Sequence, residues 1–399
     1  MRPSRLAIIS SHPIQYHTPW FRTLATHEEI ELEVLFCHEA TPQEQAAAGF
    51  GVEFDWDVSL FDGYRHRFLS NISASPSIQS FSGLDTPEIA GIIARENYDA
   101  VIVNGWHYKS AWQSMRACWR TRTPVMVRSD SHLNTERSMA KRVTKWPLYR
   151  WFIPKLDACL AVGSWSRDYF LHYGAKRERI FTVPHVVDSD YFVSESTRLL
   201  PSRAELRKNW GLDKDATVFI FAGKFIEKKR PMDFLKAVKH AAKGRAQISG
   251  LMVGDGPLRS ACEEKVRNES VPISFTGFLN QSEIVAAYAA ADALVLPSDG
   301  GETWGLVVNE AMACGLPCFV SDQVGCSADL IIPDQTGALF PLGDYETLAL
   351  LLGDFAFNHS KQATMRTHVR QGIHKYSSAA AVAGTLEAVN AVDGLSKRR

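Results

Sequence analysis

No apolar run in this chain approaches the roughly 18 residues that a membrane-spanning helix requires. The opening MRPSRLAIISSHPIQYH turns polar too early for a secretory signal, so a cytoplasmic protein is expected. Neither sign of charge prevails, because 44 Lys and Arg balance 44 Asp and Glu. Without polyelectrolyte character, nucleic acid is not expected as the main partner. The seven cysteines form no CxxC pair and sit mostly in apolar context, which points to reduced core thiols and away from a metal site. Low-complexity tracts and a repeat period are also missing. Neither half carries a complete glycine fingerprint for a dinucleotide: after Gly254-Asp255-Gly256, Arg259 stands where the third glycine belongs. That disfavours an oxidoreductase.

What is present is a 399-residue globular composition, 45% hydrophobic and 22% charged. Such a length suits two domains of about 180 to 200 residues. Leu6–Ser10, Glu33–Cys37, Ala100–Asn104, Val125–Arg128, Ala158–Gly163 and Ile180–Pro184 read as buried strands with helical stretches between most of them. That alternation predicts a parallel α/β sheet. Residues 40–80 show no clear periodicity and read as an insertion. After Val187 the chain turns polar, and 188–212 reads as a linker. A second alternation follows: Val218–Ala222, Ile248–Val253, Ile273–Thr276, Ala293–Leu296 and Cys318–Ser321. The expected organisation is an N-terminal domain over 1–187, a second over 213–377, and a terminal helix over 378–399 that could pack back on the N-terminal domain. Ligand is expected in the cleft between two doubly wound domains.

Residues 294–316, LVLPSDGGETWGLVVNEAMACGL, are the most informative stretch. A strand ending at Pro297 and a turn of small residues lead to a helix from Leu306. Its free N–H groups and positive dipole end suit a diphosphate. Glu302 lies in the turn and Glu310 inside the helix, and carboxylates accept paired hydrogen bonds from sugar or ribose hydroxyls. Taken alone, Glu310 reads equally as a carboxylate that complements the helix dipole. Lys224, at a strand's carboxyl end, and Lys229 would balance a leaving diphosphate, although Lys228-Lys229-Arg230 also reads as a surface cluster.

This Glu-x7-Glu stretch resembles the signature of retaining glycosyltransferases of family four, which have the GT-B fold. Phe221-Ala222-Gly223-Lys224 with Lys228-Lys229-Arg230-Pro231, Leu251–Pro257, Phe275-Thr276-Gly277-Phe278 and the run from Pro317 to Thr336-Gly337 resemble the family's other motifs, in order. The resemblance implies a GT-B architecture of two Rossmann-like domains, with the second binding a nucleotide-diphosphate sugar. It implies that Glu302 binds donor-sugar hydroxyls, Glu310 the ribose, and Lys224 and Lys229 the departing charge. Gly223, Gly254, Phe278, Thr303, Gly305, Leu306 and Val307 would line the nucleotide. The family usually has arginine where Lys224 stands, and lysine lacks the planar fork.

In the N-terminal half, Ser11 and His12 follow the first strand where the family often has paired glycines, so the loop would approach donor phosphates less closely. His12 reads either as a site residue or as a structural turn. Asp130 falls where family members commonly place a histidine near the sugar and acceptor, with His132 two residues on; both can serve an acceptor hydroxyl proton. His107 ends another strand and is either a cleft residue or a packed histidine. Lys141–Phe152, KRVTKWPLYRWF, interleaves basic and aromatic residues. It reads either as a helix with its aromatics packed inward or as a peripheral contact with the inner face of a membrane.

The implied reaction is retaining, metal-independent transfer to an acceptor hydroxyl in polysaccharide, lipopolysaccharide or glycolipid synthesis. Lysines and helix N–H groups would fill the role of a divalent ion, and no further cofactor is expected. UDP and GDP donors both fit, as do lipid-linked or small-molecule acceptors. A nucleotide-sugar epimerase of the same fold and a non-catalytic nucleotide-binding protein are the alternatives.

Overall fold

The computed structural model describes residues 2–39, 41–45, 52–135, 139–244 and 246–396. The chain divides into two compact units. One comprises Met1–Glu44, Ser59–Val187 and Tyr376–Arg399; the other comprises Gln45–Val58 and Asp188–Lys375.

The first unit is built on a seven-stranded, wholly parallel sheet of β1 (Ser4–Ser10), β2 (Ile30–Phe36), β3 (His66–Phe68), β4 (Ala100–Asn104), β5 (Val125–Ser129), β6 (Ala158–Ala161) and β7 (Ile180–Thr182). Their spatial order is β3-β2-β1-β4-β5-β6-β7. Strands covered on both faces read as continuous apolar runs, and alternate residues serve opposite layers. Along β1, Ala7 and Ile9 join Val101, Val103 and Val127 on one side. Leu6 and Ile8 join Ile102 and Met126 on the other.

The second unit repeats the winding with β8 (Thr217–Ala222), β9 (Ile248–Val253), β10 (Ile273–Gly277), β11 (Ala293–Leu296), β12 (Cys318–Ser321) and β13 (Gly337–Phe340), in the order β10-β9-β8-β11-β12-β13. In both sheets the order reverses once, between β1 and β4 and between β8 and β11. Such a reversal opens a crevice at the carboxyl ends of the strands where ligands bind.

Two features depart from the sequence reading. Residues 188–212 are not a linker: they hold the helices Ser189–Leu199 and Arg203–Asn209, packed into the second unit. The short edge strands β3 and β13 carry too few residues to show a period. The terminal helix, Ser378–Ser396, belongs to the first unit, where Trp20 Nε1 donates to Thr385 Oγ1 at 3.2 Å. All seven cysteines are free thiols, six buried and Cys314 partly so.

One buried carboxylate ties the second unit together. Asp292, just before β11, accepts from Arg203 at 2.6 Å, Arg207 at 2.7 Å, Arg366 at 2.5 Å and the backbone N–H of Val218 at 2.8 Å. Burial would push its carboxyl up, but the three guanidiniums hold it below the usual range. Two helices and the central strand therefore share one acceptor. Removing one partner from a buried ionic cluster costs about 3–5 kcal/mol. Asp292→Ala should lower the stability of this unit by that amount, measured as a reduced calorimetric unfolding midpoint; an unchanged midpoint would contradict the assignment.

Candidate active site

β11 ends at Leu296, and residues 297–305 carry the chain to the helix Leu306–Ala313. This loop is pinned from within and from both sides. Asp299 Oδ1 accepts from Gly301 N at 2.7 Å, and Asp299 N donates to Lys228 O at 2.9 Å. Lys228 Nζ donates to Gly301 O at 3.1 Å, and Gly325 N donates to Glu302 O at 2.9 Å. The helix opens at Gly305, whose φ of +98° and crowded surroundings exclude a side chain; a Cβ there would lie 2.9 Å from Leu296 Cδ2. Glycine at the cap offers no side chain of its own to the first-turn donors, an arrangement an anion can complete.

Glu302 is set among cations. Its Oε2 lies 2.5 Å from Lys229 Nζ and 3.8 Å from Lys228 Nζ, with the Glu302 and Lys229 side chains 12% and 11% exposed. Burial alone would push the Glu302 carboxyl up, but Lys229, Lys228 and Lys224 together hold it down. Lys224 follows β8 directly. Burial, then Lys229 and Lys228, lower its ammonium to about 8 against the pull of Glu302. Gly223, with φ +149°, runs alongside the Lys229 side chain, which would lie 3.6 Å from a Cβ there. Gly254 ends β9 so close to Gly223 that a Cβ would fall 2.0 Å from the Gly223 carbonyl. Lys224, Lys229 and Glu302 thus form one charged cluster in and beside the loop that leads to the Leu306–Ala313 helix, whose first residues Leu306 and Val307 are half-buried. Thr303 is half-buried in the same loop, and Phe278 lies beyond the end of β10.

Glu310 is 3% exposed, and its Oε2 accepts from Tyr288 Oη at 2.7 Å. Tyr288 comes from the helix Gln281–Ala290 and is itself fully buried. A ribose contact by Glu310 would therefore use a carboxylate already oriented by a neighbour. Tyr288 was not legible as a site residue, because in sequence it is one more apolar position of a buried helix.

In the first unit, the expected residues gather at the carboxyl ends of β1, β4 and β5, though in different states. Ser11 Oγ lies 3.0 Å from His12 Nδ1. Burial, then His38, lower the His12 imidazole to about 4, leaving it neutral. Asp130 is accessible, its side chain 39% exposed, with His185 Nε2 at 3.8 Å. His132 is not equivalent to it: the ring is buried against Trp165, with centroids 5.2 Å apart. His107 is exposed and packs on Tyr108. Behind Asp130 lies a buried cation. Arg128 donates to the carbonyls of Val183 and Pro184 at 3.2 and 2.7 Å, its guanidinium over the Trp20 ring. Burial lowers it to about 10, and it in turn disfavours charge on His17 and His185. His17 and His185 stack at 6.4 Å and were missed in the sequence, which offers no spacing that links them to β5.

The helix Met139–Phe152 divides its aromatics. Tyr149 and Phe152 are buried, while Trp146 and Trp151 are about half exposed, with Arg150 and Lys155 over their rings. The side chains of Lys141 and Arg142 lie outside the described residues. Among the described residues, no helix is long and apolar enough to cross a membrane, and no cluster of three or more His, Cys, Asp or Glu is placed to hold a metal ion.

Two family models match, glycosyl transferases group 1 over residues 202–371 and glycosyltransferase family 4 over residues 25–191. The chain belongs to the family-four glycosyltransferases. Its relatives include the sulfoquinovosyl transferase SQD2 of Arabidopsis thaliana, 32% identical over 49% of this chain and 36% of that protein. Another is N-acetyl-alpha-D-glucosaminyl L-malate synthase of Bacillus anthracis, 31% identical over 38% of this chain and 39% of that protein. The alignments thus span well under half the length of these two relatives. Among solved structures, a Rickettsia africae glycosyltransferase superposes with a TM-score of 0.75 at 16% identity, covering 98% of this chain and 99% of its own. Anabaena Alr3699/HepE in complex with UDP gives 0.73 at 16% identity, covering 97% and 99%. The glycosyltransferase has the GT-B fold, two parallel-sheet α/β units.

Proposed function

We propose that this glycosyltransferase moves a hexose, with retention of configuration, from a nucleoside-diphosphate sugar to an acceptor hydroxyl. The observation that carries the reading is the cluster of Lys224, Lys229 and Glu302 beside the glycine-led start of the Leu306–Ala313 helix. As the bond from the anomeric carbon to the diphosphate oxygen breaks, its electron pair stays on that oxygen, and the two ammonium groups offset the growing charge. The acceptor oxygen bonds to the same face, and its proton passes to an oxygen of the departing phosphate. Glu302 holds donor-sugar hydroxyls, Glu310 the ribose, and Asp130 the acceptor hydroxyl. With cations and helix N–H groups already at the leaving group, the reaction proceeds without a metal ion.

Synthesis of a surface polysaccharide, lipopolysaccharide or glycolipid is the setting we propose. It is supported by relatives such as the Arabidopsis sulfoquinovosyl transferase and by a structural neighbour described as a lipopolysaccharide outer core galactosyltransferase. A neighbour solved with UDP-glucose supports a nucleotide-sugar donor. The half-exposed Trp146 and Trp151, ringed by basic residues, support a cytoplasmic enzyme resting on the inner face of an anionic membrane.

Glu302→Ala should reduce sugar transfer about 100-fold or more, the scale of one preorganised electrostatic contact, with the fold unchanged by circular dichroism. Near-normal turnover would refute the role given to Glu302. The pH profile is a second check. Lys224 loses its proton near pH 8 in the free protein, so kcat/KM should fall above that pH with a one-proton slope. Lys224→Arg should move the fall well upward, because guanidinium stays charged; a profile identical to wild type would assign the limb elsewhere. Replacing Lys141, Arg142 and Lys145 together by Ala should weaken co-sedimentation with anionic vesicles by about 1 kcal/mol per cation. Unchanged binding would remove the membrane contact.

A further inference from the structure

Residues 52–60, VEFDWDVSL, alternate strictly between apolar and polar. Burial follows the alternation: Val52, Phe54, Trp56 and Val58 are half-buried, and Glu53, Asp55 and Asp57 are exposed. The segment forms neither helix nor strand, and Gln45–Val58 belongs to the second unit although the chain on either side belongs to the first.

Its seat is the carboxyl end of β10 and the start of the Gln281–Ala290 helix. The Phe54 ring lies 4.4 Å from that of Phe278, tilted by 38°, and meets Trp56 edge-on at 4.8 Å. Asn280, which caps the helix through Gln281 N, also donates its Nδ2 to the Asp55 carbonyl at 2.7 Å. The Asp57 carboxylate accepts from the Ser282 backbone N–H at 3.0 Å and from the Ser282 hydroxyl. A carboxylate at the first turn of this helix is favoured by its dipole. The strap is therefore held by directional polar contacts, and its aromatic rings are placed by them.

That placement matters for a nucleotide. A diphosphate held at the Leu306 mouth lies beyond β11, and the sheet edge at β10 is three strand spacings away, about 14 Å. Between them lie the side-chain-free turn at Gly254 and the Tyr288–Glu310 hydrogen bond, which joins the helix after β10 to the helix after β11. A nucleoside leaving the diphosphate along this edge arrives at the Phe278–Phe54 pair. At 4.4 Å the two rings leave no slot between them, so they meet a ligand as one apolar surface.

We propose that Phe54, carried by the 52–58 strap, is a nucleobase-stacking residue of the donor site. The inference rests on the donor-site reading given above. Base stacking on an aromatic ring tolerates every base, and its loss on truncation to alanine weakens binding about tenfold. Phe54 should therefore separate a nucleoside diphosphate from a bare diphosphate rather than one base from another.

Titration calorimetry on the full chain with UDP, GDP and inorganic diphosphate tests this. In Phe54→Ala both nucleoside diphosphates should bind about tenfold more weakly, with inorganic diphosphate unchanged. Phe54→Tyr should keep wild-type affinity, and Asp57→Ala, which loosens the strap but keeps the ring, should weaken UDP and GDP in the same direction. Unaltered or tighter nucleotide binding by Phe54→Ala would overturn the proposal, and so would an equal loss for inorganic diphosphate, which marks a structural role. A wild-type protein that binds no nucleoside diphosphate is a different result, because it removes the donor site itself.

Discussion

Three ammonium groups crowd one carboxylate at the mouth of the Leu306–Ala313 helix, and the rest of the site depends on that imbalance. Lys229 neutralises Glu302 at 2.5 Å. Lys228 and Lys224 add further positive charge around the same carboxylate, and the helix end adds partial positive charge. In a partly desolvated cluster such an excess is unfavourable until an anion arrives, as the lowered proton affinity of Lys224 registers. A diphosphate relieves this repulsion most when it carries the additional charge of a leaving group. In the proposed reaction, these cations are thus better matched to the separated state than to the intact donor.

Holding those charges in place requires a stiff loop, and the fold supplies one. Residues 297–305 are tied to Lys228 and to Gly325, and the Asp292 cluster fixes the strand from which they emerge. The same winding repeats in the first unit, where the reversal between β1 and β4 brings Ser11, His12 and His107 to one end of the sheet, beside Asp130 after β5. Only Asp130 is both charged and accessible there. The Arg128 cation behind it is satisfied by carbonyls and the Trp20 ring and, after burial itself, disfavours charge on the nearby imidazoles of His17 and His185.

Strand positions were readable because parallel strands buried on both faces are continuous apolar runs. Ala100–Asn104, Ile248–Val253, Ala293–Leu296 and Cys318–Ser321 have the bounds expected of them. The order of motifs in the second half identified the family for the same reason that it forms a site: each motif ends a strand, and all strand ends meet at one edge. The 188–212 helices escaped notice because their polar composition and the break at Pro201 hid their period. The 52–60 alternation was visible in the sequence, but nothing local said what its apolar side would face.

The sequence by itself determined the two doubly wound sheets, the helix start at Gly305 and the acidic and basic groups near it, since these follow from local pattern and spacing. Tertiary structure alone decided that Asp130 is accessible while His132 is buried, that Tyr288 orients Glu310, and that Phe54 lies on Phe278 across more than 200 residues of chain. Burial and long-range contact depend on how separate elements pack, and neighbouring residues carry no record of that.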